Sequence, residues 1–414
     1  MNVDFPHDTR RLFRREKGRM PRTLRSPLAV SSLSALLGLA LAGGADRPVV
    51  LASPALGALG SVRDVQIASD RDGRVTLALI ADEGRAMSDK GPFVARAVRA
   101  WQFENGAWTA LGNILNYKRP RPAANLNLAL DERGTPVLAW NENYGDNDVV
   151  EFRAWQGGAW TNWQSRYIGI SSPQAAKTRA VAAWNGEPTI IWGELPRNGF
   201  GSNLTRRRWN AAADTWARSD RLNTPGVYAR QPSLVLDASG RGTAVWLEGG
   251  LVSAEILAWR EGPGGWTRLG PPLYRRARAY MTTPRLALDA AGRPIVAWLE
   301  DLNGRDTLYV SRLDKNAWTP LGGALNVDTA SSPSLALDSR GRPVVAWIEE
   351  RAGVGRVHVA HWTGETWRDV GPLNLDSARD ARSPAVTVTP DGATFIAWRE
   401  DVAGRFAVQV RRFE

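Results

Sequence analysis

A unit of about fifty residues recurs along this chain, and that recurrence limits the fold more than any other feature. Two copies show it plainly, PSLALDSRGRPVVAWIEE (333–350) and PRLALDAAGRPIVAWLED (284–301). A marker tryptophan falls at 140, 192, 246, 298, 347 and 398, in steps of 49 to 54 residues. Leu79 takes the equivalent place in the first copy, which makes seven units.

Each unit reads as four short strands. In the sixth they are 334–338, 343–349, 357–362 and 367–371, rich in β-branched and aromatic residues and bounded by Gly, Asp or Pro. An Asp-x-x-Gly turn at 131–134, 237–240, 289–292 and 338–341 joins the first two strands. Its Asp can accept turn amides while Gly takes positive φ, so adjacent strands run antiparallel. No helical period appears. The pattern predicts an all-β, seven-bladed β-propeller of four-stranded antiparallel blades. The chain ends on a third strand, FAVQVRRFE, whereas LASPALGALG (51–60) matches the fourth-strand tail LGGALN (321–326). The N-terminal strand is therefore expected to complete the last blade and remove two open sheet edges.

Residues 27–45, PLAVSSLSALLGLALAGGA, are apolar, follow Arg22 and Arg25, and end in small residues. This reads as a signal peptide cut near Ala45, with Met20 as the start that gives it ordinary proportions. The expected organisation is a leader over 1–45 and one propeller domain over 46–414, secreted, periplasmic or held in the cell envelope. A membrane would be met only through the leader, were it left uncleaved.

The net charge is +11, of which residues 1–45 carry +5. The remaining basic residues are spread through the repeats, so no nucleic-acid footprint is expected. There is no Cys, which excludes disulfides and thiolate chemistry. Outside the leader, His occurs only at 358 and 361, three apart on one predicted strand, so no His-based triad or zinc site can form. No metal, cofactor or catalytic residue is assigned, and a monomer is expected.

Seventeen of the 19 Trp occupy three repeat positions, in the second, third and fourth strands. Burying an indole is worth on the order of 5 kcal/mol before entropy, so these residues are read as packing between blades and not as sugar platforms. Two residues beyond the second-strand Trp stands Glu142, Glu194, Glu248, Glu300, Glu349 or Glu400. This ring is read as a repeated structural bond, with a cation or substrate site as the alternative. The longer, varied loops share one face and carry Tyr117, Arg119, Arg121, Tyr228, Arg230, Tyr274, Arg275, Arg276, Arg278 and Tyr280. Arg and Tyr together can clamp anionic or sugar-like groups, which makes these the candidate ligand-binding residues.

The units resemble the broad group of secreted bacterial propellers with kelch-like and sialidase-like repeats. The sialidase Asp-box runs S-x-D-x-G-x-x-W; in ALDSRGRPVVAW the Asp and Gly are one residue further apart and the Trp lies six beyond the Gly. Gly322 and Gly323 echo the kelch glycine pair. The residues and the resemblance lead to an exported, non-catalytic propeller that recognises a glycan, an envelope polymer or other anionic polymer, or a protein through its loop face. The alternative is a sialidase-like hydrolase using carboxylates at the channel mouth, which needs two acids about 5–10 Å apart.

Overall fold

The computed structural model describes residues 49–51, 60–88, 90–143, 148–161, 179–194, 203–218, 220–250, 253–277, 279–301 and 303–413. The expected leader lies outside them. Among the described residues there is no helix, and the strands form seven antiparallel sheets. Each sheet is one blade, and the chain is an all-β, seven-bladed propeller.

The innermost strands are Val62–Ser69, Ala123–Leu130, Arg179–Trp184, Ala229–Leu236, Met281–Leu288, Thr329–Leu337 and Ala381–Val388, in blades 1 to 7. Blade 6 shows the common build: Thr329–Leu337, Pro343–Arg351, Val354–Trp362 and Trp367–Asp369 pair in sequence order. Closure is made by the N-terminal strand Val49–Leu51, which pairs with Arg405–Phe413 as the fourth strand of blade 7. Both chain ends thereby share one sheet, and no blade is left with a bare third strand.

The second strand is the core of every blade. Its marker Trp is at most 1% exposed in all six blades that carry it. Trp347 belongs to a cluster with Ile295, Leu299, Leu308 and Val310 of the preceding blade, so the indole fills the space between two sheets. The fourth-strand Trp does the same further out: Trp160, Trp318 and Trp367 donate from Nε1 to the carbonyls of Leu111, Pro271 and Leu321 in the preceding blade, at 2.6, 2.9 and 2.6 Å. Gly322 (φ 77°) lies under this contact, where a Cβ would come within 2.9 Å of the Trp367 ring. The glycine serves blade packing.

Two features break the sevenfold pattern. Blade 3 adds a short strand, Asp220–Arg221, to its third strand. In blade 1 the second and third strands, Val75–Ser88 and Gly91–Glu104, run 14 residues each against eight or nine elsewhere, and carry a hairpin beyond the rest of the blade. A bulge between Asp82 and Gly84 shifts the alternation there, which hides the hairpin from a period-two reading.

Candidate functional site

The glutamate ring is a set of fasteners. Glu142, Glu248, Glu300, Glu349 and Glu400 each accept the indole N–H of their own blade's marker Trp, at 2.7 to 3.4 Å. Each also accepts backbone N–H groups from the segment arriving from the preceding blade: Tyr117 and Lys118, Thr224, Arg275 and Arg276, Val327 and Asp328, Leu375 and Asp376. With two or three donors each, these carboxylates are well satisfied, and they weld blade to blade. A second fastener repeats beside it: Asn116, Asn223, Asn326 and Asn374 accept from the third-strand amides of Val98, Leu204, Leu308 and Val357. These asparagines take over where the short fourth strand has ended. The Leu-Asn pair at 115–116, 222–223, 325–326 and 373–374 was a visible signal for them.

Around the axis, the first strand of each blade has an edge with no neighbouring strand, so its amides and carbonyls need other partners. Side chains of adjacent blades supply them. Asp64 accepts from Leu126 N at 2.9 Å, Gln231 from Thr283 N at 2.6 Å, Ser233 from Leu286 N and Ser334 from Val386 N, both at 3.1 Å. Arg285 donates from Nε to the Pro333 carbonyl at 3.0 Å. Five blades carry a bulge here with a left-handed residue, Asn125, Gln231, Thr283, Ser332 or Ser383 (φ 50–54°). Left-handed φ in a β-branched residue is uncommon, and Thr283 stands two positions before Arg285.

These strands enclose a chamber of about 550 Å³ at the loop-face mouth of the channel, lined from all seven blades. A collar of Asp64, Asn125, Arg179, Gln231, Thr283, Ser332 and Ser383 surrounds it, with Arg285 one step deeper. At the opposite end, Asp70, Asp131, Asp237 and Asp338 line a second space of about 440 Å³. Each of those carboxylates accepts the amides of its own turn.

The charges in the loop-face chamber are unequal. Asp64 is its one carboxylate among the described residues, and both oxygens accept amides, Val65 N and Leu126 N at 2.9 Å. Burial raises its carboxyl pKa, opposed by those bonds, by the Gln66 side chain and by Arg399. Arg179 is buried and donates to Asn141 Oδ1 and to the Asn125 carbonyl. Burial pulls its guanidinium down to about 9, so it remains a cation at neutral pH. Arg399 donates to Ser383 Oγ at 3.3 Å and the Val62 carbonyl at 3.4 Å. Arg285 is exposed to the chamber, and desolvation by the surrounding protein lowers its guanidinium pKa, opposed by the charge of Asp64.

The predicted loop residues fall into two groups, one at the junction of blades 1 and 2 and one at the entries to blades 4 and 5. In the first, Tyr117 is engaged in the fold: its hydroxyl donates to the Phe152 carbonyl at 2.8 Å, and Arg153 lies 4.2 Å from its ring centre. Arg119 is exposed and paired with Glu83 at 3.0 Å, and the Arg121 carbonyl accepts from Arg96 N. In the second, the buried Arg230 lies 5.4 Å from the Tyr228 ring and 5.9 Å from the Tyr280 ring. Tyr274 and Tyr280 are 44% and 43% exposed, Arg275 lies over Tyr309 at 5.3 Å, and Arg276 is exposed. Arg278 lies outside the described residues. Sequence reasoning missed Asp64, Arg179 and Arg285. A signal existed, because Arg285 in PRLALD stands where PSLALD and PSLVLD have serine.

No protein-family model matches the chain, and no curated protein matches it. Among solved structures, an ulvan lyase described as a new family of polysaccharide lyase aligns at a TM-score of 0.55 and 10% identity, over 88% of this chain and 95% of its own. The intramolecular trans-sialidase from Ruminococcus gnavus aligns at 0.44 and 10%, over 87% and 96%. A lectin in complex with α-methyl fucoside aligns at 0.45 and 11%, over 75% and 95%. By fold, then, the chain is a closed seven-bladed β-propeller. Its structural neighbours include sialidase-like propellers, at identities that speak for architecture and not for chemistry.

Proposed function

We propose that this protein is an exported binding propeller that takes a saccharide chain or related envelope polymer at the loop-face mouth of its channel, without transforming it. The observation that carries the reading is the use of the carboxylates at that mouth. Asp64 and the described glutamates hold backbone amides, and the glutamates also hold indoles, so their oxygens serve the fold. What is left facing the ligand is a collar of amide, hydroxyl and guanidinium groups, while Tyr274 and Tyr280 stand exposed in the segment that leads into blade 5. That is the chemistry of sugar recognition by hydrogen bonds and stacking, and the chamber has the volume of an ordinary small-ligand site. The ulvan lyase has the same fold, so a saccharide here is compatible with the frame.

A second reading rests on the raised pKa of Asp64, which suits a proton donor in glycan cleavage. One experiment separates the two. The full chain is applied to arrayed glycans and immobilised polysaccharides, and bound material is then sized after prolonged incubation. Binding with unchanged chain length, retained in Asp64→Asn, supports the module. Shortened or unsaturated products from the wild type, lost in Asp64→Asn, would make it an enzyme.

A further inference from the structure

We infer that the loop-face chamber holds one anionic group of its ligand, a carboxylate or a sulfate ester, on the guanidinium of Arg285. This deepens the proposed saccharide binding and rests on it for the rest of the ligand. The inference comes from the two guanidinium groups that line the chamber, Arg179 and Arg285, and from Arg399 beside it. Arg179 and Arg399 are both committed to protein acceptors. Arg285 is different: its Nε bond to the Pro333 carbonyl fixes the plane of the guanidinium, and its two terminal nitrogens have no protein acceptor among the described residues.

The chamber's own carboxylate does not serve as that acceptor. Asp64 acts on Arg285 through its field, while its oxygens are taken by amides of blades 1 and 2. With Arg179 and Arg285 against Asp64, the lining carries one positive charge in excess. Arg285 is open to the chamber, so its terminal N–H groups face the space a ligand would fill and not a protein acceptor. An anion with two oxygens matches the free fork of N–H groups and cancels the excess. The neighbouring serine, threonine, asparagine and glutamine side chains then suit the hydroxyls of the attached sugar. On this account Asp64 works against the anion, so removing its charge tightens binding.

The test is calorimetric titration of the full chain with sodium sulfate, sodium acetate, a galacturonic acid trimer, the methyl ester of that trimer and a sulfated galactose oligosaccharide. The variants are Arg285→Gln, Arg285→Lys and Asp64→Asn; unfolding midpoints confirm that each is folded. The expected result is that the acidic trimer or the sulfated sugar binds, the ester binds at least tenfold more weakly, and Arg285→Gln weakens the acid by about 10- to 100-fold. Arg285→Lys recovers part of the loss, and Asp64→Asn tightens binding severalfold. Which of the two sugars binds identifies the anion. Binding of sulfate or acetate that depends on Arg285, with no saccharide bound, upholds the anion site and overturns the saccharide reading. Equal binding of acid and ester, unaffected by Arg285→Gln, overturns the anion site and leaves the saccharide reading standing. Absence of any binding overturns both.

Discussion

Replacing Glu300 by alanine removes one member of the glutamate ring and leaves three N–H groups without an acceptor. They are the Trp298 indole at 3.1 Å, the Arg275 amide at 2.5 Å and the Arg276 amide at 3.2 Å. An unsatisfied buried donor costs about 1–3 kcal/mol. Trp298 and Glu300 are both wholly buried, so the indole bears the upper part of that range. The two amides belong to exposed residues and can turn toward water, so each lies near the bottom of it. The total is about 4–5 kcal/mol. Equilibrium urea unfolding followed by tryptophan emission measures it as a lowered midpoint at unchanged slope. Glu300→Gln keeps the shape but turns one oxygen into a donor, and should fall between alanine and wild type. If Glu300→Ala unfolded at the wild-type midpoint while abolishing glycan binding, the ring would be a ligand device and the fastener argument would be refuted.

Three further outcomes follow from the same physics. Trp347→Ala empties a site between blades 5 and 6 and should cost about 3–5 kcal/mol in the same assay; an unchanged midpoint would contradict burial. A chain beginning after Leu51 loses the fourth strand of blade 7 and bares the edge of Arg405–Phe413. It should melt lower and self-associate in size-exclusion chromatography, and a stable monomer would count against closure by the N-terminal strand. Because burial raises the Asp64 carboxyl above its ordinary 3.8, the folded state holds that proton more tightly than the unfolded chain. Its contribution to stability is therefore full below 3.8, declines as pH rises through the higher folded value, and is flat beyond. Asp64→Asn cannot titrate, so its stability relative to wild type should rise across that window; a fall in urea midpoints measured against pH would reverse the sign.

Much of the fold was legible because its signals are local. The apolar, β-branched run in PVVAWIEE and the Asp-x-x-Gly turns specify antiparallel hairpins within a few residues, and seven repetitions leave few architectures that bury so many indoles. The bond between each marker Trp and the Glu two positions on is equally local. The blade 1 hairpin was not legible, since the Asp82–Gly84 bulge breaks the period that would announce it. Of the proposed loop residues, Tyr228, Arg230 and Tyr280 do meet, whereas Tyr117 is drawn into the fold by Phe152 and Arg153.

Seven blades, their strand order and the ring of fasteners are consequences of patterns repeated every fifty residues, each read from its own short stretch. The chamber is another matter. Asp64, Arg179 and Arg285 lie more than a hundred positions apart and meet only because the ring closes. Whether a guanidinium there is paired depends on where every neighbouring oxygen is already spent. That depends on all seven sheets at once, and so only the tertiary structure could decide it.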